Sequence, residues 1–259
     1  MKSYKGYLID LDGTIYKGKI RIPAAKRFVE RLQEKNIPFL FVTNNSTQTP
    51  EKVVENLRVN FDIYVETNNI YTTAIATADY IADLDSNKRS VYAIGELGLK
   101  QALLDRNFYF EETRPDYVVV GLDYDVTYHK FELATLAIKR GAKFIGTNAD
   151  TNLPNERGLV PGAGSVIALV ECSTQQKATY IGKPEAIIME KALKRIGLKK
   201  DDVVMVGDNY MTDIQAGINF GIDTMLVYTG VSTKEQIQKV NIKPTIELDS
   251  LDEWQIEND

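Results

Sequence analysis

The stretch Leu8-Ile9-Asp10-Leu11-Asp12-Gly13-Thr14 decides the fold, because two carboxylates lie one residue apart at the end of the first apolar run. Residues 5–9 are typical of a short strand that enters a glycine-containing turn. Residues two apart on an extended backbone point to the same face, so we expect Asp10 and Asp12 to project together from the carboxyl end of this strand. Carboxylates held that close repel each other unless a cation or a shared proton lies between them. The stretch therefore predicts either an ionic site or a solvated Asp-Gly turn.

The bulk composition is that of an ordinary globular protein. The chain has 259 residues, 44% hydrophobic and 26% charged, which is enough for one large or two modest domains. Its 31 basic and 36 acidic residues give a formal charge of -5, so no basic field is available to attract nucleic acid. A single cysteine excludes an internal disulfide and a cysteine-rich zinc site. No nucleic-acid partner is expected, and any anion must be bound by a local site.

No targeting or membrane segment is expected. The first five residues lead directly into the strand, without the apolar core and cleavage site of a secretory signal. No run approaches the roughly 18 consecutive apolar residues of a membrane span. The sequence therefore predicts a soluble, cytoplasmic protein without a membrane partner.

Apolar strands alternate with amphipathic helices along the chain. This alternation is typical of an α/β fold in which helices cover both faces of a parallel sheet, and we expect a Rossmann-like, doubly wound sheet. The first set of elements ends near residue 81 and resumes near residue 178. Its predicted strands are residues 5–9, 39–42, 178–181, 203–206 and 224–227, and its predicted helices are residues 24–35 and 185–196, with two more that begin near 50 and 72.

A second set of alternating elements occupies residues 82–177. These elements could extend the same sheet or form a separate, smaller α/β domain. We assign residues 1–81 and 178–259 to a core domain and residues 82–177 to a smaller inserted α/β domain.

Three further segments that follow predicted strands carry groups that the Asp pair needs. Residues 43–46 offer the hydroxyl of Thr43 and the amide of Asn44, which suit phosphate oxygens. Lys183 lies just before a predicted helix, where its charge and free backbone N–H groups can both serve an anion. Residues 207–209 and Asp213 follow the strand at 203–206. Residues beyond the carboxyl ends of parallel strands converge on one crevice, so we expect these groups to meet.

Each of these segments taken alone is more typical of a turn or a solvated loop than of a site. Taken together, in this order and each after a predicted strand, they predict a phosphoryl-transfer site. A carboxylate nucleophile, further carboxylates and a lysine can bind a divalent cation and a phosphate. Mg²⁺ suits such a site because it prefers oxygen ligands and retains several waters.

These motifs resemble those of the haloacid dehalogenase superfamily of aspartate-nucleophile phosphatases. Its four motifs are matched by residues 10–14, by Thr43, by Lys183, and by residues 207–209 with Asp213. The long insert between the second and third motifs is similar to that of the NagD-like and 4-nitrophenylphosphatase-like sugar phosphatases, which carry a large α/β cap there. The resemblance covers essentially the whole chain and implies a homodimer as the candidate assembly.

The resemblance also implies a role for each matched residue. Asp10 would attack phosphorus and become an aspartyl phosphate, while Asp12 would protonate the leaving alcohol and then activate water. Thr43, Asn44 and Lys183 would hold the phosphoryl oxygens. The remaining roles concern Mg²⁺, which would be bound by the side chains of Asp10 and Asp208 and the backbone carbonyl of Asp12, with Asp213 and Asn209 around this metal shell.

The insert contains a polar loop at residues 146–154 that resembles the substrate-facing cap loop of related enzymes. Asn148 and Asp150 could contact a leaving group, or they could stabilise a turn with their own side chains. The only histidine, His129, is predicted on a helix surface, and one histidine cannot build a zinc site or a catalytic triad.

The sequence thus predicts a Mg²⁺-dependent phosphatase that acts on a small-molecule phosphate ester, with the insert as its cap. Two other functions use similar residues. A phosphotransferase or mutase would pass the phosphoryl group from Asp10 to a second alcohol. A receiver-like module would only store it, but such modules are about half this length and leave the insert and Asp12 unexplained.

Overall fold

The structure of the protein is a computed structural model, which describes residues 2–256. It contains an α/β chain with two parallel sheets, as the alternation of elements predicts. In chain order the strands are β1 (Gly6–Ile9), β2 (Tyr16–Lys17), β3 (Ile20–Arg21), β4 (Phe39–Thr43), β5 (Ile70–Thr72), β6 (Ser90–Ile94), β7 (Tyr109–Phe110), β8 (Tyr117–Val120), β9 (Lys143–Gly146), β10 (Asn152–Asn155), β11 (Gly158–Pro161), β12 (Thr179–Tyr180), β13 (Val203–Gly207), β14 (Asp223–Val227) and β15 (Ile246–Leu248).

The α-helices alternate with these strands. In chain order they are α1 (Pro23–Glu34), α2 (Pro50–Phe61), α3 (Thr73–Leu84), α4 (Leu97–Leu104), α5 (Tyr128–Lys139), α6 (Ala163–Thr174), α7 (Ala186–Ile196), α8 (Gln215–Phe220) and α9 (Lys234–Gln238). Most of the predicted helices and strands are present within a few residues of their expected ends.

The chain divides into two compact units. The first comprises the residues up to Thr43, Pro50–Tyr71 and the residues from Lys183 onwards, and the second comprises Asn44–Thr49 and Thr72–Gly182.

The first unit is built on a six-stranded sheet in the order β15-β14-β13-β1-β4-β5. β1 lies near the centre and pairs in parallel with β13 and with β4. All four residues of β1 and all five of β13 are buried, as expected for strands covered by helices on both faces. The carboxyl ends of β1, β4 and β13 therefore reach the same edge of the sheet.

Helix α1 shows how local sequence builds this layer. Pro23 occupies the first turn, where its missing N–H group costs no hydrogen bond. Its apolar residues recur every three or four positions, so that Phe28, Val29 and Leu32 are fully buried on one face in the core under the sheet.

The second unit contains a five-stranded parallel sheet in the order β12-β9-β8-β6-β7, together with the antiparallel hairpin β10-β11. One hydrophobic cluster of this unit is formed by one face of the sheet and by the buried faces of α5 and α6.

The predicted strand at residues 178–181 was assigned to the first sheet, and this assignment is wrong. β12 pairs with β9 of the second sheet, with Thr179 opposite Ile145. Thr179 is exposed and Tyr180 half-buried, so β12 is an edge strand of two residues. An apolar run reports that a strand exists, but it does not report which sheet edge the strand joins.

The limits of the two compact units also differ from the predicted limits at residues 82 and 177. Helix α3 belongs to the second unit, where it lies against α4, and the second unit ends at Gly182. The buried residues of α3 include Ala74, Ala78 and Ile81. An amphipathic helix of this kind can pack against either sheet, so its sequence does not assign it to one unit.

Two further expectations concern single side chains. His129 is exposed on α5, as predicted. Cys172, which between Glu171 and Ser173 was expected to be a small buried or half-buried residue, is exposed on α6. Among the residues that the structure describes, the helices are too short or too polar to cross a membrane.

Candidate active site

Asp10 and Lys183 form the centre of the candidate site. Asp10 follows the last residue of β1 directly and is buried, and Lys183 is also buried just before α7. The Lys183 Nζ lies 2.5 Å from Asp10 Oδ1 and 2.7 Å from Asp213 Oδ1. It also donates to the backbone carbonyl of Val42 at 2.9 Å. The structure thus brings the end of β1 and the end of β4 to one lysine.

Lys183 does not follow a strand of this sheet, contrary to the pattern expected for the site. The strand that precedes it, β12, belongs to the second sheet. The connection through Gly182 brings the chain back to the first unit, and Lys183 is the first residue of that return.

Three buried carboxylates meet beside this lysine. One oxygen from each of Asp10, Asp208 and Asp213 lies within 4.8 Å of the other two, and we call these three residues the acidic cluster. One lysine cation does not balance three carboxylates, so the fully ionised cluster carries a net negative charge. Closely spaced carboxylate oxygens are the ligands that Mg²⁺ prefers, so the donor set fits a divalent cation.

The electrostatics of the cluster reflect the same crowding. Burial, followed by the charge of Asp213, raises the pKa of Asp10 well above its ordinary value, although Lys183 acts in the opposite direction. Burial and Asp213 likewise raise the pKa of Asp208 to about 6. Burial acts to lower the pKa of Lys183, but Asp10 and Asp213 more than offset it, so this pKa lies above its ordinary value. The lysine therefore stays charged while Asp10 and Asp208 resist ionisation.

Asp213 is placed by the turn that follows β13. Asn209 begins a π-helical turn, Tyr210–Ile214, and its side chain accepts a hydrogen bond from Met211 N–H at 3.0 Å. The Asn209 N–H donates to Asp213 Oδ2 at 3.0 Å. A Cβ at Gly207 would lie 2.2 Å from the Asp213 Cβ, so only glycine allows the strand end to approach this side chain.

Asp208 is held by donors from two other loops. Thr14 Oγ1 donates to Asp208 Oδ1 at 3.1 Å, and Val231 N–H donates to Oδ2 at 2.7 Å. A carboxylate has about four acceptor positions, so each oxygen retains capacity for a further ligand. Gly13, at φ 98°, lies against this carboxylate, because a Cβ there would be 2.4 Å from the Asp208 Cγ.

Asp12 differs from Asp10 in its exposure to solvent. Its side chain is exposed, and its Oδ1 accepts a hydrogen bond from Gly18 N–H at 3.1 Å. Gly18 lies in the turn of the hairpin β2-β3, which the sequence did not predict. β1 ends at Ile9, so both carboxylates lie beyond the strand, and Asp12 forms an isolated β-bridge with Tyr16.

The polar residues predicted after β4 fall into different units. Thr43 is the last residue of β4 and is buried next to Val42, whose carbonyl accepts from Lys183. Asn44 belongs to the second unit. There its Nδ2 donates to Asp150 Oδ2 at 3.0 Å, and its carbonyl accepts from Asn148 Nδ2 at 2.8 Å.

For Asn148 and Asp150 the sequence left two expectations, contact with a leaving group or a turn stabilised by their own side chains. The structure contains such a turn. Asn148 Oδ1 accepts a hydrogen bond from the Asp150 N–H at 3.1 Å, and Asn148 is buried. These bonds tie Asn148, Asp150 and Asn44 together within the second unit.

Sequence reasoning missed the loop after β14. Thr229 Oγ1 donates to the Gly13 carbonyl at 2.5 Å, and Val231 and Ser232 both donate to Asp208 through their N–H groups. A signal for it existed, since this loop follows a parallel strand beside β13. It contains no charged side chain, and a search for ionisable groups therefore passes over it.

Comparison with known families gives two matches along the chain. Residues 7–109 match the model of a haloacid dehalogenase-like hydrolase family, and residues 180–254 match a HAD-hydrolase-like family. The first match contains Asp10, Asp12 and Thr43, and the second contains Lys183, Asp208 and Asp213.

Two curated relatives align over nearly the whole chain. The 5'-nucleotidase YutF of Bacillus subtilis is 49% identical over 254 residues, which cover 98% of each chain. The acid sugar phosphatase of Staphylococcus aureus is 50% identical over 254 residues, which cover 98% of this chain and 97% of that protein.

Two solved structures superimpose on nearly the whole chain. A double mutant of the thermostable NPPase from Geobacillus stearothermophilus superimposes with a TM-score of 0.92 at 51% identity, over 99% of this chain and 100% of that one. NagD from Escherichia coli K-12 gives a TM-score of 0.92 at 30% identity, again over 99% and 100%.

Proposed function

Because the chain belongs to the haloacid dehalogenase-like hydrolases, and within them to the NagD-like phosphatases, we propose that it is a Mg²⁺-dependent phosphatase of small phosphate monoesters that works through an aspartyl phosphate. The observation that carries this proposal is the buried Asp10, 2.5 Å from the Lys183 Nζ and surrounded by the other carboxylates of the acidic cluster.

In the first half of the proposed reaction, an Asp10 oxygen attacks phosphorus and the bond from phosphorus to the ester oxygen breaks. Asp12 gives its proton to the departing alkoxide. In the second half, Asp12 takes a proton from water, which attacks the phosphorus of the aspartyl phosphate. Inorganic phosphate leaves and the Asp10 carboxylate is regenerated. The exposure of Asp12 supports this role, because its carboxyl group can exchange protons with solvent.

Lys183, Thr43 and Asn44 are the proposed holders of the phosphoryl oxygens, and Lys183 also keeps Asp10 oriented. Mg²⁺ would be held by the side chains of Asp10 and Asp208 and by the backbone carbonyl of Asp12, with Asp213 and Asn209 orienting this shell. The ion would offset the repulsion between the carboxylates and the anionic ester.

The substrate class is proposed from the relatives, whose names specify a 5'-nucleotidase, an acid sugar phosphatase and an NPPase. We propose a small metabolite such as a nucleoside monophosphate or a phosphosugar. The second unit would act as the cap that selects the leaving group, with Asn148 and Asp150 as candidate contacts. A cytoplasmic location and a homodimer belong to the same proposal.

The first test is the variant Asp10→Asn, assayed with 4-nitrophenyl phosphate and Mg²⁺. Loss of the nucleophile should lower turnover by at least about 10⁴-fold with the melting temperature retained. Asp125→Asn, an exposed carboxylate of the second unit, is the matched control and should keep normal turnover. Near-normal turnover of Asp10→Asn would exclude Asp10 as the nucleophile.

The second test separates proton transfer from binding. Asp12→Asn should lower kcat by about 10²–10⁴-fold without a comparable increase in KM, because the carboxyl group acts on the leaving alcohol. For the wild type, the amounts of alcohol and of phosphate released should be equal, because water accepts the phosphoryl group. Less phosphate than alcohol would indicate transfer to a second alcohol.

A further inference from the structure

Residues 229–232 form a loop that directly follows Tyr228 after β14, and we call it the 229–232 loop. We propose that this loop is a positioning element of the Mg²⁺ site, with Thr229 and Gly230 as its positioning residues. The inference rests on the proposed function, because it assigns to the loop the alignment of two of the proposed metal ligands.

The loop holds Asp208 at both its side chain and its backbone. Val231 N–H donates to Asp208 Oδ2 at 2.7 Å, and Ser232 N–H donates to the Asp208 carbonyl at 3.1 Å. Ser232 Oγ in turn accepts from Tyr210 N–H at 2.8 Å. The loop therefore restrains both the backbone and the side chain of Asp208, and it shares the orientation of the carboxylate with Thr14.

The same loop holds the turn after β1. Thr229 Oγ1 donates to the Gly13 carbonyl at 2.5 Å. Gly13 is bonded directly to Asp12, whose backbone carbonyl is the other proposed ligand. One hydroxyl group therefore fixes the turn that carries Asp12 relative to the loop that orients Asp208.

Gly230 supplies the space that this arrangement needs. A Cβ at Gly230 would lie 1.9 Å from Asp208 Oδ2 and 2.9 Å from the Gly13 Cα. The φ of Gly230 is outside the left-handed region, so its backbone would accept alanine. Close approach to Asp208 is thus what requires glycine here, and a methyl group would move the carboxylate.

These contacts point to positioning and not to catalysis. The described donors of the loop are directed at Asp208 and Gly13, which belong to the protein itself. Groups that orient metal ligands in this way typically change metal affinity by about 10–100-fold when they are removed. A loop that served only folding would lower the melting temperature and leave metal affinity unchanged.

The experiment compares Thr229→Val, which removes the hydroxyl at nearly constant shape, with Thr229→Ser, which retains it. Gly230→Ala tests the contact with Asp208, and Val59→Thr, at an exposed position of α2, controls for exchange of these two residue types. Each protein is titrated with MgCl₂ in the absence of substrate. The readout is the Mg²⁺ concentration that gives half of the maximal rise in melting temperature, and phosphate release by the wild type is measured separately.

We expect Thr229→Val and Gly230→Ala to raise this concentration roughly tenfold or more, with Thr229→Ser within about twofold of the wild type. Unchanged half-saturation in Thr229→Val and Gly230→Ala would overturn the inference, as would a wild type that Mg²⁺ does not stabilise. If Thr229→Val does not fold, Gly230→Ala decides. Phosphate release by the wild type tests the proposed function independently, so a failed inference and a failed function give different results.

Discussion

The acidic cluster of the first unit and Glu171 of the second unit are both buried carboxylate sites, yet their surroundings differ. Glu171 Oε2 accepts from Lys177 Nζ at 2.7 Å, and its Oε1 accepts from Ala178 N–H at 3.0 Å and from the Tyr180 hydroxyl at 3.3 Å. Burial acts to raise the pKa of Glu171, but these donors lower it below its ordinary value. In the acidic cluster, burial and neighbouring carboxylates raise the pKa of Asp10 and Asp208.

Glu171 in its ionised form stabilises the fold, whereas ionised Asp10 and Asp208 destabilise it. Glu171 finds its donors within nine residues and ties the end of α6 to β12. The acidic cluster collects like charges from distant parts of the chain, which costs folding free energy unless a cation is bound. Perturbation of this kind, combined with a specific cation partner such as Lys183, is typical of functional sites.

The largest effect that would test this contrast is expected from Asp208→Asn. Loss of a proposed metal ligand should lower kcat/KM by roughly 10³-fold or more, because the charge stabilisation supplied by a catalytic metal is worth several kcal/mol. In metal-free buffer at pH 7 the variant should melt at the same temperature as the wild type or higher, since the ionised Asp208 is disfavoured by burial and by Asp213.

The pH dependence of this stability difference follows from the raised pKa. A carboxyl group with a folded pKa of about 6 and an ordinary pKa of about 4 binds more protons in the folded state between these values. Its unfavourable contribution is therefore complete above pH 6 and disappears below pH 4. The melting temperatures of Asp208→Asn and the wild type should converge across this window. If Asp208→Asn melted well below the wild type at pH 7 in metal-free buffer, ionised Asp208 would not be the destabilising group that we infer.

An intermediate effect is expected at Asp12, which is exposed and has one described backbone donor. Gly18 adopts φ 58°, a left-handed conformation that asparagine tolerates and valine resists. Gly18→Val should displace the N–H group that holds Asp12, whereas Gly18→Asn should keep it. We expect kcat for an alkyl phosphate to fall about tenfold in Gly18→Val only, which is less than the roughly 10²–10⁴-fold expected for complete loss of a general acid.

The leaving group supplies the internal control for the Gly18 variants. 4-Nitrophenolate leaves without much help from an acid, so its release should change far less than release of an alkyl alcohol. Equal losses for both esters would show that the hairpin acts on a step that the two esters share, and not on proton donation by Asp12 to the leaving alcohol.

The smallest effect on activity is expected from Glu171→Gln, which should keep kcat/KM within about twofold and lower the free energy of unfolding by about 1–2 kcal/mol at pH 7. Because the folded pKa is lowered, the stabilisation is complete above the ordinary pKa of about 4.3 and is lost as the pH falls through the folded pKa. Urea unfolding at pH 7 and pH 3 measures the change. An equal difference at both pH values would contradict the ionic role.

Much of the fold and of the candidate site is predictable because its signals are local. Apolar runs mark the buried strands β1, β4 and β13, and parallel strands bring their carboxyl ends to one edge. This rule, applied to the order of the elements along the chain, predicts that Asp10 and Asp208 lie close together, as they do.

The remainder depends on contacts between distant segments, which no local pattern reports. Nothing in the two-residue strand β12 tells which sheet it joins, and the amphipathic face of α3 suits either unit. The direction of Asp12 depends on a hairpin whose turn contains Gly18. The 229–232 loop acts through a hydroxyl, backbone N–H groups and a missing Cβ, none of which stands out in a sequence.

The exposed Cys172 has a practical consequence for solution work. It is the single thiol in 259 residues, and it lies on the surface of α6, so a maleimide dye would label the chain at one defined position without any substitution. The same thiol can join two molecules by oxidation. Samples for measuring assembly therefore need a reducing agent or a Cys172→Ser variant, so that a covalent pair is not counted as a native dimer.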